Sequence, residues 1–370
     1  MKFYYMAFSL IIISICAGTL RSQTESKAEK TLPEVSIQGT KMMTFHSAIV
    51  DQDYDLYINL PGNYSDTTKK FPVLYVLDGQ WDFTLAQSLY GQQYYDGFVP
   101  AMIVVGITWG GKNPDYDNLR ARDLTPTSSN MGNKYGNAPK FLECIKKEII
   151  PLVESNYRVD KSNRALMGSS FGGLFTLYAM LKETNLFNRY MLTSPAVNWD
   201  NGIIYTYEKE YSEKNTSLPV RLFIGWGSYE DQTVFQKFVD VLKSRNYKDF
   251  NLSTYEVQGC GHSGAKAYGF TKGFQFLYEK PSIIVDTTIL QQYAGDYEIA
   301  PNMIVKLNVE DGHLVAHEPS GIKIILYSES DSDFYAKGIF LTGHFVKDQN
   351  GKVTGISVEQ YNGKMFIKKL

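Results

Sequence analysis

The stretch MGSSFGGLF, residues 167–175, is the most informative part of the sequence about both fold and chemistry. It contains the pattern G-x-S-x-G, from Gly168 to Gly172, where an apolar run gives way to a helical pattern. In that context the pattern is typical of a sharp turn between a strand and a helix, with the serine exposed at the top of a sheet. Both flanking positions are expected to be small, because side chains there would collide with the strand or the helix.

The turn makes Ser170 the candidate nucleophile. It would lift the serine Oγ above the sheet and direct the backbone N–H of Phe171 at the same spot. The start of the following helix also favours negative charge there. Ser169 is the rival, but it is out of register with the flanking glycines. The alternative interpretation is a glycine- and serine-rich turn without chemistry.

Short apolar runs on both sides of this motif predict a mostly parallel sheet. Such runs indicate strands buried on both faces, as in parallel sheets covered by helices. They are PVLYVLD (72–78), AMIVVGI (101–107), RALMGS (164–169), RYMLTSP (189–195) and VRLFIGWG (220–227). An antiparallel pair of strands is expected before them, within 35–60. Helical spacing at 137–157, 172–181 and 234–245 completes a doubly wound α/β pattern.

The pattern changes near residue 280, and residues 281–370 predict a separate, all-antiparallel β domain without a convincing helix. Asp-Gly or Asn-Gly pairs at 311–312, 350–351 and 362–363 join its short alternating runs. These pairs are the strongest short signals for β-hairpins. A chain of 370 residues is long enough for two domains, which we place at 23–280 and 281–370.

Residues 1–22 are typical of an export signal. A lysine precedes an apolar stretch over residues 3–17, and small or polar residues follow. The stretch is short for a membrane span of about 20 residues. We therefore predict a periplasmic or extracellular protein with no stable membrane span after processing. A lipoprotein anchor at Cys16 is not favoured, because the bulky Ile15 precedes it.

Composition excludes several other classes of protein. The 37 basic and 39 acidic residues give a net charge of −2 with no basic block, which argues against nucleic acid as a partner. The five histidines show no paired metal-type spacing, and we predict neither a metal nor another cofactor. Cys144 and Cys260 are expected to be free, because a lone pair in a large core is more often two small hydrophobes. The oligomeric state stays open.

A serine nucleophile needs a base, and His262 is the candidate. It lies in the glycine-rich VQGCGHSG (257–264), after a strand-like run. This position fits the chain order Ser, acid, His of hydrolases with this turn. His313, His317 and His344 fall in the predicted β domain. The alternative interpretation of His262 is an exposed loop histidine.

The carboxylate that orients this histidine is expected after the strand at 220–227, where Glu230 and Asp231 are adjacent. One of them would hold the imidazole tautomer and stabilise the imidazolium. The other would be a solvated charge or a charge at a helix N-terminus. Asp200, after the preceding strand, is a third candidate of lower rank.

An oxyanion hole needs a second N–H beside that of Phe171. The loop after the strand at 72–78 offers Gly79 and Gln80. Loss of one such donor typically costs about 3 kcal/mol of transition-state stabilisation. The alternative is that Gly79 serves only as a turn.

Together, these motifs resemble the "Putative esterase" family of α/β-hydrolases, which includes siderophore esterases, S-formylglutathione hydrolases and feruloyl or acetylxylan esterases. The resemblance covers roughly residues 33–279 and rests on PVLYVLDGQWDF, RARDLTPT, MGSSFGG, SPAVNWDN, G-x-x-E at 227–230 and GCGHSG. It implies an α/β-hydrolase fold and a serine ester hydrolase with Ser170 as nucleophile, His262 as base and Glu230 as acid.

The resemblance also bears on the substrate. The segment RARDLTPT is similar to one in the siderophore-type branch, so Arg120 and Arg122 could contact an anionic substrate, with a structural salt bridge as the alternative. Trp81 is a further candidate contact. A small siderophore-type ester is the first expected substrate, and a feruloyl or acetyl ester linked to a saccharide is the second.

The C-terminal domain is similar to a β module found on some secreted bacterial hydrolases and β-lactamase-like proteins, and simple siderophore esterases lack it. Three roles are open to it: to cover the site, to bind a ligand, or only to dock against the hydrolase. The competing class of function is a non-catalytic ligand-binding protein on a hydrolase scaffold.

Overall fold

An eight-stranded, mostly parallel sheet carries the larger part of the fold. The computed structural model describes residues 36–129, 135–361 and 363–370, and the predicted export signal lies outside them. The strands of this sheet are β1 (Thr40–Ser47), β2 (Gln52–Asn59), β3 (Phe71–Val76), β4 (Ile103–Trp109), β5 (Val159–Ser169), β6 (Arg189–Thr193), β7 (Arg221–Gly227) and β8 (Asn251–Val257).

The strand order in space is β1-β2-β4-β3-β5-β6-β7-β8. The antiparallel start is confirmed, since β1 pairs with β2 and β2 with β4 in antiparallel fashion. All pairs from β4 onward are parallel. Every residue of β3 and β4 is buried, as the continuous apolar runs predict for strands covered on both faces.

Helices cover both faces of the sheet. They are α1 (Gly79–Tyr95), α2 (Tyr116–Leu124), α3 (Ala138–Cys144), α4 (Ile150–Asn156), α5 (Phe171–Lys182), α6 (Trp199–Ser212), α7 (Gln232–Ser244) and α8 (Ala265–Leu277). The helix predicted at 137–157 is α3 and α4 joined through one π-helical turn, Ile145–Ile149. The predicted α/β fold class is therefore confirmed.

Helix α1 differs from the sequence expectation, which put Gly79 and Gln80 in a loop. Both residues belong to the first turn of α1, and Asp78 just before them has a left-handed backbone (φ 52°). The sequence signals for this helix are weak, because it begins with a glycine, contains a second one at Gly91 and has no side-chain cap. The buried residues Phe83, Ala86 and Tyr90 form its inner face.

The C-terminal part is a closed antiparallel barrel, as its hairpin signals predict for an all-β domain. Its strands are β9 (Gly295–Ala300), β10 (Met303–Glu310), β11 (His313–His317), β12 (Lys323–Ser328), β13 (Asp333–Ala336), β14 (Leu341–Lys347), β15 (Val353–Gln360) and β16 (Gly363–Lys369). The barrel closes where β16 pairs with β9. Asp311 and Gly312, both at positive φ, form the two-residue turn that this Asp-Gly pair predicts.

The expectation of no helix in this domain is wrong. A short helix, α9 (Thr287–Tyr293), precedes the barrel, and the Asp286 side chain caps it by accepting from the N–H of Thr288. Leu290 and Tyr293, three residues apart on one face, are buried in the barrel core. Tertiary burial thus stabilises a helix too short to be evident from its sequence.

The barrel packs against the C-terminal end of α1. Tyr361, just after β15, contacts the rings of Tyr94 and Tyr95 at centroid distances of 6.0 and 5.3 Å. Phe340 adds a third ring contact, with Tyr94 at 5.4 Å. Gly97 lies so close to the barrel that a Cβ there would be 2.6 Å from the carbonyl oxygen of Ile339. Gly79 lies at the other end of α1, so the docking site is remote from it.

Candidate active site

Ser170 occupies a strained turn between β5 and α5. Its φ of 57° and ψ of −114° lie outside the backbone conformations that residues with a side chain usually adopt. Hydrogen bonds on both sides hold the conformation: its N–H donates to the Thr193 carbonyl, and its own carbonyl accepts from the N–H groups of Leu174 and Ala196. The backbone of Ser170 is thereby tied to the loop after β6.

The two flanking glycines are not equally constrained. A Cβ on Gly168 would lie 2.4 Å from the backbone C and O of Gly172, so the strand and the helix can approach only if position 168 has no side chain. A Cβ on Gly172 would meet Oδ2 of Asp78 at 3.3 Å, which is a milder restriction. Ser169 is buried at the end of β5, where its Oγ accepts from Oγ1 of Thr193.

Glu230 and His262 form the polar pair of the site. Nδ1 of His262 lies 2.8 Å from Oε1 of Glu230, and the carboxylate is largely buried whereas the imidazole is half exposed. The other oxygen, Oε2, accepts from the N–H of Gly227 at 2.8 Å and from Oγ of Ser194 at 2.6 Å. Both carboxylate oxygens are engaged, so the orientation of the carboxyl group toward the imidazole is fixed.

The two turns that carry this pair are packed directly against each other. The N–H of Tyr229 donates to the carbonyl of Cys260, and the N–H of Gly259 donates to Oγ of Ser228. A Cβ on Gly227 would lie 2.3 Å from the Cys260 oxygen. This close approach explains why a glycine ends β7, and it brings two segments about 30 residues apart in the chain into contact.

Asp231 points away from the imidazole and caps α7. Its carboxylate accepts from the N–H and the Oγ1 of Thr233 at 3.1 and 2.6 Å, and these hydrogen bonds lower its pKa. Asp200 lies in a left-handed kink of α6 together with Asn201 and Gly202. Of the three carboxylates considered from the sequence, Glu230 is the one in hydrogen-bond contact with His262.

Two helix N-termini converge beside Ser170. The first N–H groups of a helix have no partner within it, and here they belong to Phe171 in α5 and to Gly79 and Gln80 in α1. The parallel pairing of β3 with β5, with Val76 opposite Met167, starts both helices at the same edge of the sheet. This arrangement suits an anionic oxygen between them.

Arg120 binds Asp78, the residue just before Gly79 and Gln80 at the start of α1. Its guanidinium makes a two-pronged contact with Asp78, Nε to Oδ1 and Nη2 to Oδ2, both at 2.9 Å. Burial acts to lower the pKa of Arg120, but the hydrogen bonds and charge of Asp78 outweigh it, and the pKa is raised. The guanidinium also lies over the rings of Trp81 and Phe171, at 5.5 and 5.3 Å from their centroids.

Arg122 belongs to a different, buried network. Its Nε and Nη2 donate to the carboxylate of Asp123 at 2.7 and 2.9 Å. Asp123 also accepts from Tyr54 Oη, Trp109 Nε1 and Asn137 Nδ2. Arg122 therefore forms a structural ion pair, which was the alternative to contact with substrate. Through Asp123, this network connects α2 to the sheet.

Two contacts at the site were not predicted, although both residues lie in segments that carry the family resemblance. Ser194 begins SPAVNWDN, and its Oγ donates to Glu230. Asp82, buried in the first turn of α1, accepts from Nζ of Lys266 in α8 at 2.8 and 3.1 Å, which connects the helix after His262 to the helix that begins at Gly79. Burial raises the pKa of Asp82, and the charge of Lys266 opposes that rise without cancelling it.

Other kinds of site find no support in the described part of the chain. No group of three His, Cys, Asp or Glu residues there is arranged to hold a metal ion. Cys144 and Cys260 are free thiols, as predicted, and burial raises the pKa of Cys144. Within the same residues, no helix has the length and apolar character that crossing a bilayer requires.

The sheet order and the strand-to-helix turn at Ser170 define the class of the protein as an α/β-hydrolase. The family model described as "Putative esterase" matches residues 47–272, more than half of the chain. The chain belongs to this family and is an ester hydrolase. The barrel strands lie beyond the matched residues.

Relatives and solved structures agree with this assignment. The chain is 26% identical over 211 residues to the ferri-bacillibactin esterase BesA of Bacillus subtilis, covering 53% of this chain and 72% of that protein. It is 29% identical over 188 residues to the siderophore triacetylfusarinine C esterase of Aspergillus fumigatus, covering 48% and 64%. The crystal structure of the BES protein from Bacillus cereus matches with a TM-score of 0.60 and 25% identity, over 66% of this chain and 97% of that one.

Proposed function

We propose that this chain is an exported serine hydrolase of carboxylic esters that works through an acyl-enzyme. Ser170 is the nucleophile, His262 the general base and Glu230 the carboxylate that orients it. The observation that carries the proposal is the 2.8 Å contact between His262 Nδ1 and Glu230 Oε1. Glu230 accepts from Ser194, and the preceding residue, Thr193, accepts from the N–H of the strained Ser170. With the Nδ1 proton held by the carboxylate, Nε2 of the imidazole is free to accept a proton from a serine hydroxyl.

The reaction runs in two halves. Oγ of Ser170 attacks the ester carbonyl carbon while Nε2 of His262 takes the hydroxyl proton, and Glu230 stabilises the imidazolium. The tetrahedral intermediate collapses, the C–O bond to the alcohol breaks, and His262 returns the proton to the leaving oxygen. Water activated by His262 then attacks the acyl-enzyme, which releases the acid and restores Ser170.

The oxyanion of both tetrahedral intermediates is stabilised by backbone N–H groups. Phe171 supplies one from the start of α5, and Gly79 or Gln80 supplies the other from the start of α1. Such donors are oriented before the substrate arrives, so they cost no reorganisation when charge develops. Removal of one typically lowers kcat by about 10²–10³-fold.

A siderophore-type ester is the proposed substrate class. The support is the similarity to two proteins named as esterases of siderophores, together with exposed aromatic rings on both sides of the site, Trp81 in α1 and Tyr229 beside Glu230. Trp81 and the Arg120 beneath it would contact an aromatic or anionic portion of the substrate. The second candidate is a feruloyl or acetyl ester of a polysaccharide, which the same aromatic faces favour.

Export is proposed from the sequence of residues 1–22. Expression of the full chain in a Gram-negative host, followed by fractionation and N-terminal peptide mass spectrometry, tests it. We expect a chain that begins near residue 23 outside the cytoplasm. A cytoplasmic chain that retains residue 1 would contradict export.

The catalytic proposal is tested by hydrolysis of p-nitrophenyl butyrate by the wild type, Ser170→Ala and the matched control Ser169→Ala. We expect Ser170→Ala to lose activity and the control, whose buried hydroxyl accepts a hydrogen bond from Thr193, to retain it. Equal rates for Ser170→Ala and the wild type would favour the non-catalytic binding protein. Ferric catecholate lactones measured beside feruloylated and acetylated xylan then identify the substrate class.

A further inference from the structure

The two ends of the C-terminal barrel are built differently. At one end α9 packs into the opening, and the ring of its Tyr293 stacks on Phe345 at a centroid distance of 4.0 Å. Phe334 contacts both rings, at 5.8 and 5.2 Å, and Leu290 is fully buried beside them. Aromatic side chains therefore fill this end of the barrel.

Beyond this aromatic plug the barrel encloses a cavity of about 250 Å³. Its deep wall is made of buried apolar side chains from different strands: Tyr297, Leu307, Leu326, Ile356 and Val358. The cavity has the volume of about eight water molecules, although protein cores are usually close-packed. An eight-stranded barrel has room either for a filled core or for one small ligand, and this barrel combines a filled end with an unfilled cavity.

The cavity opens at the end opposite α9. Among the residues that line it, Leu307 and Leu326 are only 4% exposed, Val305 and Ile324 two residues earlier on the same strands are partly exposed, and Met365 is 41% exposed. These residues are apolar although water reaches them. Among the described residues that line the cavity, the polar side chains are Glu318 and Gln360.

We propose that this cavity is a binding site for a single alkyl chain that carries an uncharged hydrogen-bonding head group. The volume suits a chain of about eight to ten carbons, because a methylene group occupies nearly the ~30 Å³ of a water molecule. The walls offer only apolar contacts to the chain. Glu318 can accept a hydrogen bond from the head group, and Gln360 can accept or donate one. A carboxylate head group would be repelled by the charge of Glu318.

The site is separate from Ser170 and does not depend on the proposed catalysis. Gln360 is next to Tyr361, which contacts the C-terminal end of α1, whereas the oxyanion donors lie at its N-terminal end. The 17 residues of α1 span about 25 Å at ~1.5 Å per residue. An alkyl chain held in the barrel would therefore not occupy the ester site.

Binding is tested on the full chain with N-phenyl-1-naphthylamine, an uncharged probe that fluoresces in apolar surroundings. We expect a saturable rise in fluorescence that decan-1-ol reverses. Decanoate should reverse it roughly ten-fold less well, since it would bring a like charge to Glu318. No saturable binding would overturn the proposal, and equal competition by decanoate would overturn the assignment of the head group.

Adjacent residues of β12 provide a matched pair of variants. Ile324 lines the cavity, whereas Ile325 points outward and is exposed. Ile324→Trp should fill the cavity and weaken probe binding by at least about ten-fold, and Ile325→Trp should leave it within about two-fold. Ile299→Trp fills the cavity from β9 and replaces Ile324→Trp if that variant does not fold. Wild-type binding by a folded, cavity-filled variant would place the probe elsewhere and refute the proposal.

A measurement without mutation locates the ligand independently. Met365 lies in the cavity lining and is 41% exposed, and Met42, in β1 of the other sheet, is 64% exposed. Both should be oxidised by dilute hydrogen peroxide. Saturating decan-1-ol should slow sulfoxide formation at Met365 and leave Met42 unchanged, as followed by peptide mass spectrometry. Equal rates at Met365 with and without decan-1-ol would contradict the site.

Discussion

Ser194 donates from its Oγ to Glu230 Oε2 at 2.6 Å, and this contact leaves Oε1 directed at His262. Ser194 itself has a left-handed backbone (φ 45°), held by a hydrogen bond of 2.7 Å from its N–H to the Gly225 carbonyl. The loop after β6 therefore positions two proposed catalytic groups, because the N–H of Ser170 donates to Thr193 in the same segment. Ser194, whose contact with Glu230 was not predicted, connects the turn of the proposed nucleophile to the turn of the proposed acid.

Replacement of Glu230 by glutamine should lower kcat for p-nitrophenyl butyrate by about 10²–10⁴-fold, because an amide can present a donor to Nδ1 and favour the wrong imidazole tautomer. Asp231→Asn is the matched control, since Asp231 caps α7. It should stay within about two-fold of the wild type, because both side chains can cap a helix. A larger loss in Asp231→Asn than in Glu230→Gln would reverse the assignment of the acid.

Ser194→Ala should lower kcat roughly ten-fold by removing one hydrogen bond to a buried carboxylate. The effect should vanish when Glu230 is already glutamine, because both residues act on the imidazole through one carboxyl group. Steady-state kinetics of the two single variants and the double variant measure this coupling. Additive losses would show that Ser194 acts by another route.

Arg120→Lys should lower kcat for a small neutral ester by about ten- to hundred-fold while KM changes little. A lysine cannot make the two-pronged contact with Asp78, so the proposed oxyanion donors of α1 would shift, and displacements near 1 Å can cost about 10²-fold. A rise in KM confined to anionic esters would instead assign Arg120 to substrate binding. Arg122→Lys, in the Asp123 network, should affect stability and leave both constants near wild type.

Lys266→Met should destabilise the fold by about 3 kcal/mol, because it leaves the buried Asp82 carboxylate without its cation. The double variant Asp82→Leu/Lys266→Met should recover most of that loss, since no uncompensated charge remains. Urea unfolding of the three variants measures both effects. A double variant no more stable than Lys266→Met would exclude the ion pair as the cause.

Asp231 provides a prediction about pH. Hydrogen bonds from Thr233 lower the pKa of Asp231 in the folded state, so the charged form stabilises the fold above the unfolded pKa of about 3.9. That stabilisation is lost as the pH falls through the folded pKa. Asp231→Asn should therefore melt below the wild type at pH 7, and the gap should close as the pH falls below 3.9. A gap that is constant over this range would mean that charge at the start of α7 contributes nothing.

Patterns local in the chain were enough to predict much of the fold. Continuous apolar runs indicated strands with both faces covered, the serine turn was evident from Gly168, and Asp311-Gly312 predicted a hairpin because only a few residue types accept positive φ at low cost. Helices α1, α2, α6, α8 and α9 were not predicted. For α1 and α9, burial against distant strands outweighs weak local signals.

Only the tertiary structure shows which way individual side chains point and how distant strands meet. Glu230 and Asp231 are neighbours of the same charge, and their residue types and positions do not show which carboxylate turns toward the imidazole; the family resemblance alone favoured Glu230. The packing of Gly227 against Cys260 orients Glu230, whereas Asp231 caps the N-terminus of α7. Closure of the barrel, and the cavity inside it, likewise arise only when β16 meets β9, because a cavity is the volume that distant side chains fail to fill.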